Sequence, residues 1–408
     1  MLNKNEQEIL KSTAKKIDPS AKDVVSNLMI SLQNQELIAG CVEKLQKAIK
    51  EYPNDAAEMT LDEFLKAHPE MLDAEEAKIM SSFTLPATAL TNLLKQFLNN
   101  PNRIESPRRN RIVVEEHYLT KNAVITYKSE DATYTLTVER IKELFVKRVQ
   151  NGAKIFNFLL EKLNEQNYVE RTEFLLSELI EAGIYANPDS AYRGLKTVLE
   201  KLMSIHVEAS MKVYEGRKRK EVGYVKAAIV GQYKVTYNKC IAVLPPAIRE
   251  HTPYITILPR WGYALQSENA YMLLDYIYYL ARQNTNKIRE RGYFTINLDT
   301  VRQHLGIPSP EEIKDEYNGR YNQLIIKPIE DAIAAIEEKK EDNDLKITQV
   351  YDSNYKNIHE YLDGYLEIRM SGASLEYMLE RAVQEEKRIA EAQRKALPPS
   401  KKTDKKEE

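Results

Sequence analysis

The sequence predicts an α+β protein in which an all-helical amino-terminal region precedes two mixed units. The chain has 408 residues, more than a single hydrophobic core usually contains. Apolar residues recur at helical spacing up to about residue 100, and β-branched and aromatic residues alternate with polar ones from residue 111 onward. After residue 150 one order of predicted helices and strands occurs twice. We therefore expect several domains, two of them built on the same plan.

The region 1–100 is predicted to be an acidic helical domain. Val24, Leu28 and Leu32 step by four residues, which is the spacing of one helix face. Between residues 51 and 76 there are nine acidic residues and one basic residue. Such a surface repels phosphate, so any contact with nucleic acid must come from another part of the chain.

Residues 101–150 are predicted to be a linker, a β-hairpin and a helix that lead into the first mixed unit. The linker, 99–110, is rich in Asn and Pro and poor in apolar residues. Residues 111–138 have the alternation of strands, with a turn near 129–131, and a helix is expected over 139–148.

The first mixed unit, 151–250, has the predicted order helix, helix, helix, hairpin, which is the order of a winged helix. Gly183 suits a helix carboxyl terminus, and Asn187 can cap a helix whose first residue is Pro188. The expected helices are 152–166, 176–182 and 188–203, and the expected strands are 205–214 and 223–232.

The second mixed unit, 251–372, repeats this plan. Its expected helices are 268–283, 298–305 and 321–339, and its expected strands are 293–297, 345–351 and 365–370. Pro328 removes a backbone donor, so the third helix is expected either to kink or to start there. Residues 373–408 are predicted to be a charged helix and a disordered tail.

Several kinds of chemistry are missing from the sequence. It has no GxxxxGK[ST] or GxGxxG frame, and its six histidines form no HxH or HExxH motif. Two cysteines, Cys41 and Cys240, are too few for a disulfide framework or a thiolate zinc site and are expected to be buried. We therefore expect no enzyme activity, no cofactor and no metal. The tyrosines crowded between residues 271 and 279 are expected to be core residues and not nucleophiles.

Helix 188–203 has the composition of a DNA recognition helix. Its apolar residues fall on one side, which leaves a polar face with donors for phosphates and base edges. A solvated helix face has a similar composition, so both interpretations stay open. The candidate DNA-binding residues on this helix are Ser190, Tyr192, Arg193, Lys196 and Thr197.

Helix 321–339 presents a comparable polar face, with Arg320, Gln323 and Lys327 as candidates. Asp331 lies one turn beyond Lys327 and limits phosphate contact to the amino-terminal end of this helix.

Two further basic groups lie outside the helices. A protruding hairpin is expected to carry Arg217, Lys218, Arg219 and Lys220 at its tip, where a basic wing can reach a phosphate backbone. The linker and the strand that follows it contribute Arg108, Arg109 and Arg111 as possible strand or arm contacts. A solvated, soluble surface is the alternative for both groups.

The segment YFTINLDTVRQHLGIP, followed by YNQLIIKPIEDAIAAIEE and the strand LKITQVY, resembles the second winged helix of plasmid replication initiators with tandem winged helices. The resemblance extends over about residues 150–370. It implies two recognition helices that bind directly repeated double-stranded DNA sites (iterons), contacts with host replication proteins and a possible homodimer. The acidic region before residue 100 is larger than the usual addition in this family.

The sequence thus leads to a hypothesis of a DNA-binding initiator of a plasmid or other mobile element, which binds repeated origin sites without catalysis. The alternatives are a transcription regulator of a mobile element and a protein-binding scaffold, the latter favoured by a net charge of −2. A mean hydropathy of −0.52, the low cysteine count and the lack of an apolar leader segment lead us to expect a cytoplasmic protein with no membrane contact.

Overall fold

The computed structural model describes most of the chain between residues 82 and 370. The described ranges are 82–86, 89–99, 111–117, 122–128, 132–138, 150–165, 171–215, 218–244, 255–317, 319–339 and 345–370, with Leu379 and Val383. Most of the predicted acidic domain, the linker 100–110, the helix expected over 139–148 and nearly all of the tail 373–408 lie outside these residues. The protein is α+β, with helices packed against small antiparallel sheets.

Two units, each with several helices and a three-stranded sheet, make up most of the described chain. The first unit contains α2 (Gly152–Glu165), β5 (Arg171–Leu175), α3 (Leu176–Glu181), α4 (Pro188–Met203), β8 (Gln232–Val235) and β9 (Lys239–Val243). The second unit contains α5 (Glu268–Gln283), α6 (Thr285–Arg291), β11 (Tyr293–Asn297), α7 (Leu298–His304), α8 (Pro310–Glu316), α9 (Lys327–Lys339), β12 (Leu345–Val350), α10 (Ile358–Leu362) and β13 (Tyr365–Met370).

The sheets of the two units have the same topology. In the first unit the strands lie in the order β5–β9–β8, and in the second they lie in the order β11–β13–β12. All four pairings are antiparallel, so the last strand of each unit lies in the middle of its sheet. The two sheets therefore share their strand order, whereas α6, α8 and α10 of the second unit have no counterpart in the first.

One prediction about the first unit is wrong. The hairpin expected to close its sheet consists of β6 (Ile205–Glu215) and β7 (Lys218–Ala228), and these strands belong to another sheet. That sheet also contains β2 (Arg111–His117), β3 (Asn122–Lys128) and β4 (Ala132–Val138), and its strand order is β2–β3–β4–β6–β7. The first unit is closed by the short hairpin β8–β9 instead. Alternation of polar and apolar residues identifies a strand but does not say which sheet it joins.

The region before residue 150 also differs from prediction in two places. Within the expected all-helical domain, β1 (Ser82–Pro86) is a strand that pairs with β10 (Ile255–Pro259), and α1 (Ala89–Asn99) follows it. Residues 111–138 form three strands instead of a hairpin: β2 (Arg111–His117), β3 (Asn122–Lys128) and β4 (Ala132–Val138).

The helix ends in the first unit follow the predicted capping chemistry. Asn187 caps α4, where its side chain accepts a hydrogen bond of 2.9 Å from the Ser190 backbone N–H, and Pro188 is the first helical residue. Gly183 has a φ of +75° just after α3. An L side chain rarely adopts this angle, which explains the glycine.

Pro328 lies within continuous helical structure. Residues Asn322–Ile326 form a π-helical segment directly before α9, and the Lys327 N–H donates to the Asn322 carbonyl, five residues earlier. The wider turn accommodates a proline that has no N–H for the usual bond to Leu324. The α-helix itself begins at Lys327, one residue before the position at which the sequence predicted a kink or a start.

The helices α1, α2 and α5 meet at a buried polar network. The Lys95 ammonium forms an ion pair with the Asp275 carboxylate, and both side chains are almost completely buried. Asn157 of α2 donates to the same carboxylate at 3.0 Å and to the Tyr271 hydroxyl at 2.8 Å. Because buried charges are tolerated only when they are paired and hydrogen-bonded, this network fixes how the three helices pack.

A second set of contacts joins α2 to the 3-10 helix Arg260–Ala264, which precedes α5. Glu161 binds Arg260 and accepts a hydrogen bond of 3.1 Å from the Tyr263 hydroxyl. Lys154 donates to the carbonyls of Tyr263, at 2.9 Å, and Leu265. The two units are therefore connected by directional polar contacts as well as by apolar packing.

The tyrosines near residue 276 and the described cysteine are core residues, as predicted. Tyr271, Tyr276 and Tyr278 are buried among the apolar residues of α5, and Tyr279 packs against the same core. Cys240 is also buried, and burial raises the pKa of its thiol to about 12. Cys41 lies outside the described residues.

The buried network leads to a prediction about stability. We expect Asp275→Ala to lower the free energy of unfolding by about 3–5 kcal/mol, because it leaves the Lys95 ammonium buried without its carboxylate. The double variant Lys95→Met with Asp275→Leu removes both charges and should be less destabilised than Asp275→Ala alone. Urea denaturation of the three proteins measures this difference. A double variant destabilised as much as Asp275→Ala, or more, would mean that an unpaired Lys95 ammonium is not the cause of the loss.

His304 leads to a prediction about acid stability. Its ring stacks on Tyr276 at 3.9 Å, and its Nδ1 lies 3.0 Å from Gln96 Nε2. Burial, and secondly the nearby Lys95, lower the pKa of His304 from 6.5 to about 3. The unfolded chain thus takes up this proton below pH 6.5 while the folded protein does not. Stability should fall by up to about 1.4 kcal/mol per pH unit from pH 6 towards pH 3.

The matched control is His304→Phe, which keeps an aromatic ring and cannot be protonated. Denaturant midpoints between pH 7 and pH 4 should decline less steeply for this variant than for the wild type. Parallel declines would show that His304 does not carry the acid sensitivity.

Candidate nucleic-acid interface

Helix α4 has one apolar and one polar face, as its sequence predicts. The residues of its apolar face, Ala191, Leu195, Val198, Leu199 and Leu202, are completely buried. This burial fixes the rotation of the helix, so its remaining side chains point to solvent or to the neighbouring segments.

Arg193 and Lys196 lie on the outward face of α4. Arg193 is 79% exposed and its Nη2 lies 3.9 Å from Asp189 Oδ2, and the Lys196 Nζ lies 3.8 Å from Glu200 Oε1. Exposed pairs of this kind contribute at most about 1 kcal/mol. Both cations can therefore exchange these carboxylates for a phosphate at little cost.

Tyr192 has a different environment from the one expected of a DNA contact. Its ring stacks on Tyr237 with centroids 4.6 Å apart and the planes 16° from parallel. Tyr237 lies in the turn between β8 and β9 and is 60% exposed. Tyr192 thus positions the end of this hairpin against α4, and Tyr237 is the more accessible of the two rings.

A cleft of about 650 Å³ runs along the side of α4, between this helix, the start of α2 and residues 183–186. Ser190, Arg193 and Thr197 line it, so the structure brings three of the five candidates on α4 together. Gln266, from the segment before α5, also lines the cleft, and the other twelve lining residues lie within residues 150–201.

Two lysines that the sequence analysis did not select also line the cleft. Lys154 and Lys201 are almost completely buried, and burial lowers the pKa of both, that of Lys154 to about 8 against a smaller opposing effect of Glu268. The cleft thus combines two buried lysines with the exposed guanidinium of Arg193. Lys201 lies four residues after Thr197 and seven after Gly194, both of which line the cleft. The helical period alone could therefore have predicted that Lys201 lies on the same side of α4.

In the second unit, Arg320, Gln323 and Lys327 are all exposed. Ile325, Ile329, Ala332 and Ile336 form the buried side of this helix, as predicted. The acidic residues Glu330 and Asp331 are also exposed, so the basic end of the helix is its amino-terminal end.

The other basic candidates are described only in part. Arg108, Arg109 and Arg217 lie outside the described residues, and the side chain of Arg111, the first residue of β2, is likewise not described. Lys218, Arg219 and Lys220 were expected at the tip of a hairpin but belong to strand β7, where they pair with Glu215, Tyr214 and Val213 of β6. The two residues between these strands, 216–217, lie outside the described residues.

In the part of the chain that the structure describes, no three His, Cys, Asp or Glu side chains are grouped so that they could hold a metal ion. In the same part, no helix has the length and apolar character needed to cross a membrane.

No family model matches this chain, and no curated protein matches it. Among solved structures, the crystal structure of RctB domains 2-3 is 9% identical, covers 70% of this chain and 99% of its own length, and has a TM-score of 0.38. A structure of selenomethionine derivatives of domains 2 and 3 of RctB is 10% identical, covers 68% and 98%, and has a TM-score of 0.34. Similarity of this degree does not establish a shared fold or a shared function.

Gly194 provides a test of how α4 is seated. A Cβ at this position would lie 1.8 Å from the hydroxyl oxygen of Tyr185, whose ring is buried. We expect Gly194→Ala to destabilise the protein by about 1–3 kcal/mol, although alanine normally favours a helix over glycine. Thermal denaturation measures the change.

The control is Gly231→Ala, because a Cβ at residue 231 has only the Val243 carbonyl near it, at 3.8 Å. This variant should unfold close to the wild-type temperature. If Gly194→Ala were as stable as Gly231→Ala, the close packing of Tyr185 against α4 would be refuted.

Proposed function

We propose that this protein binds double-stranded DNA sequence-specifically through two winged-helix units and initiates replication of a plasmid or other mobile element. In this proposal α4 is the recognition helix of the first unit, and the helix from 321 to Lys339 is that of the second. The protein acts by binding repeated sites and not by catalysis.

The observation that carries the proposal is the repeated topology. Both units contain a helix, a strand, two helices and two strands in this sequence, to which the second unit adds α6, α8 and α10, and both place the last strand between the other two. In the first unit the chain leaves the unit after α4, forms strands β6 and β7 of the five-stranded sheet, and returns to the unit at β8. A helix followed by a two-stranded hairpin is the arrangement in which a winged helix inserts a helix into the major groove.

The exposed side chains support DNA as the partner. Each recognition helix presents cations and amide or hydroxyl groups at its amino-terminal half, represented by the exposed Arg193 and the half-buried Ser190 in one unit and by the exposed Arg320 and Gln323 in the other. Cations suit phosphates, and an amide suits the edge of an adenine. The role as initiator is supported by the resemblance of residues 293–351 to the second winged helix of plasmid initiators.

A scaffold that binds proteins is the second candidate. It is favoured by the acidic partners that already lie beside the cations of α4, Asp189 beside Arg193 and Glu200 beside Lys196. A scaffold would show no steep loss of DNA binding with added salt, whereas a DNA-binding protein releases counterions and must show one. A transcription regulator would bind DNA in the same way and would differ by failing to support replication of the element.

The second recognition helix gives the sharpest test of DNA binding. We expect Gln323→Ala to weaken binding to the repeats that flank the gene by about 1–3 kcal/mol and binding to scrambled DNA hardly at all, because an amide reads a base edge. Arg320→Ala should weaken binding to both DNAs. It should also lower the salt slope, which is the steepness of the decline of log K with log salt concentration, by about one, because it removes a phosphate contact. Fluorescence anisotropy over a salt series measures both effects.

The matched control is Lys314→Ala, which removes an exposed cation from α8, outside both recognition helices. It should leave affinity and salt slope close to those of the wild type. Wild-type binding that ignores both salt and sequence would refute the proposed function.

A further inference from the structure

The cleft beside α4 has the composition of an anion site. Thirteen residues line it, among them three cations and no carboxylate, in a chain with slightly more acidic than basic residues. At about 650 Å³ it has the size of pockets that hold small ligands. The nearest carboxylates named by the contacts of the lining residues are Asp189, beside Arg193, and Glu268, which accepts a hydrogen bond from the Asn151 backbone.

The cations of the cleft are held at different depths. Lys154 is fixed by the carbonyls of Tyr263 and Leu265, and Lys201 lies near the carboxyl end of α4. Arg193 is the exposed member, and its planar guanidinium can donate two parallel hydrogen bonds to an oxyanion. The surroundings of an anion in the cleft would thus include two buried lysines and one exposed guanidinium.

Neutral donors line the same space. Ser190 contributes a hydroxyl group, and Gln150 and Gln266 contribute side-chain amides from two different segments. The tetrahedrally arranged oxygens of a phosphate can accept hydrogen bonds from donors in several directions. A single carboxylate accepts from fewer donors. The mixture of ammonium, guanidinium, hydroxyl and amide groups therefore matches a phosphate better than a carboxylate.

We propose that this cleft binds a phosphate group, in contact with Arg193 and Lys201. The phosphate can come from the backbone of bound DNA, in which case the inference rests on the proposed function, or from a free nucleotide. Because Ser190, Arg193 and Thr197 belong to the cleft and to the polar face of α4, a free ligand would compete with DNA for this helix.

Burial supports this assignment. It lowers the pKa of Lys154 to about 8 and lowers that of Lys201 as well, which reflects the free energy needed to remove a charge from water. A phosphate in the cleft would offset this desolvation and stabilise the charged forms of both lysines.

The test uses the full-length protein and the variant Lys201→Met, with Lys314→Met as its matched control. In the first arm, inorganic pyrophosphate is titrated into each protein by calorimetry. In the second arm, duplex DNA that carries the flanking repeats is bound over a salt series. Arg193→Gln is measured alongside, because a change at an exposed residue leaves the fold intact even if Lys201→Met does not.

We expect one of two results. A salt slope lowered by about one in Lys201→Met and Arg193→Gln, but not in Lys314→Met, identifies the DNA backbone as the source of the phosphate. A wild-type calorimetric signal for pyrophosphate that weakens at least tenfold in the two cleft variants identifies a free ligand. Unchanged behaviour of both variants in both arms would overturn the proposal.

The two proposals fail in different ways. If wild-type protein binds no duplex DNA at any salt concentration, the proposed function is refuted, and the pyrophosphate arm alone then decides whether the cleft is a phosphate site. If DNA binding is salt-dependent but insensitive to both cleft variants, and pyrophosphate does not bind, only the cleft assignment is refuted.

Discussion

The buried ion pair between Lys95 and Asp275 is the interaction on which the arrangement of the two units depends. It joins α1 to α5, and Asn157 brings α2 to the same carboxylate. Apolar side chains can slide past one another with little change in free energy, but a buried charge must find its partner within hydrogen-bonding distance. The network therefore gives the helices between the two units one relative position.

This position has a direct consequence for the candidate interface. The segment before α5 carries the carbonyls that bind Lys154, and it also brings Gln266 to the cleft beside α4. Twelve of the thirteen lining residues lie within residues 150–201, and Gln266 adds one side chain from the segment before α5.

The fold and the site were predictable to different degrees. Helical periodicity correctly placed the buried side of α4, and the cap at Asn187 and the left-handed Gly183 could be identified from local chemistry alone. The partner of each strand was not predictable in the same way. The β6–β7 hairpin was assigned to the wrong sheet because pairing partners come from segments far apart in sequence. Similarly, Tyr192 was selected for its position on the helix, and its stacking on Tyr237 depends on a turn 45 residues away.

By itself, the sequence determined the helices α2, α4 and α5, the strands β11 and β13, the polar and apolar faces of α4 and the lack of common catalytic motifs. These properties follow from short-range spacing and from residue type. The tertiary structure decided the strand order within the sheets, the π-helical turn that accommodates Pro328, and the meeting of Lys154, Lys201 and Arg193 in one cleft. Such contacts join residues that are distant in the chain, so they depend on packing and on the pairing of buried charges, which no local pattern contains.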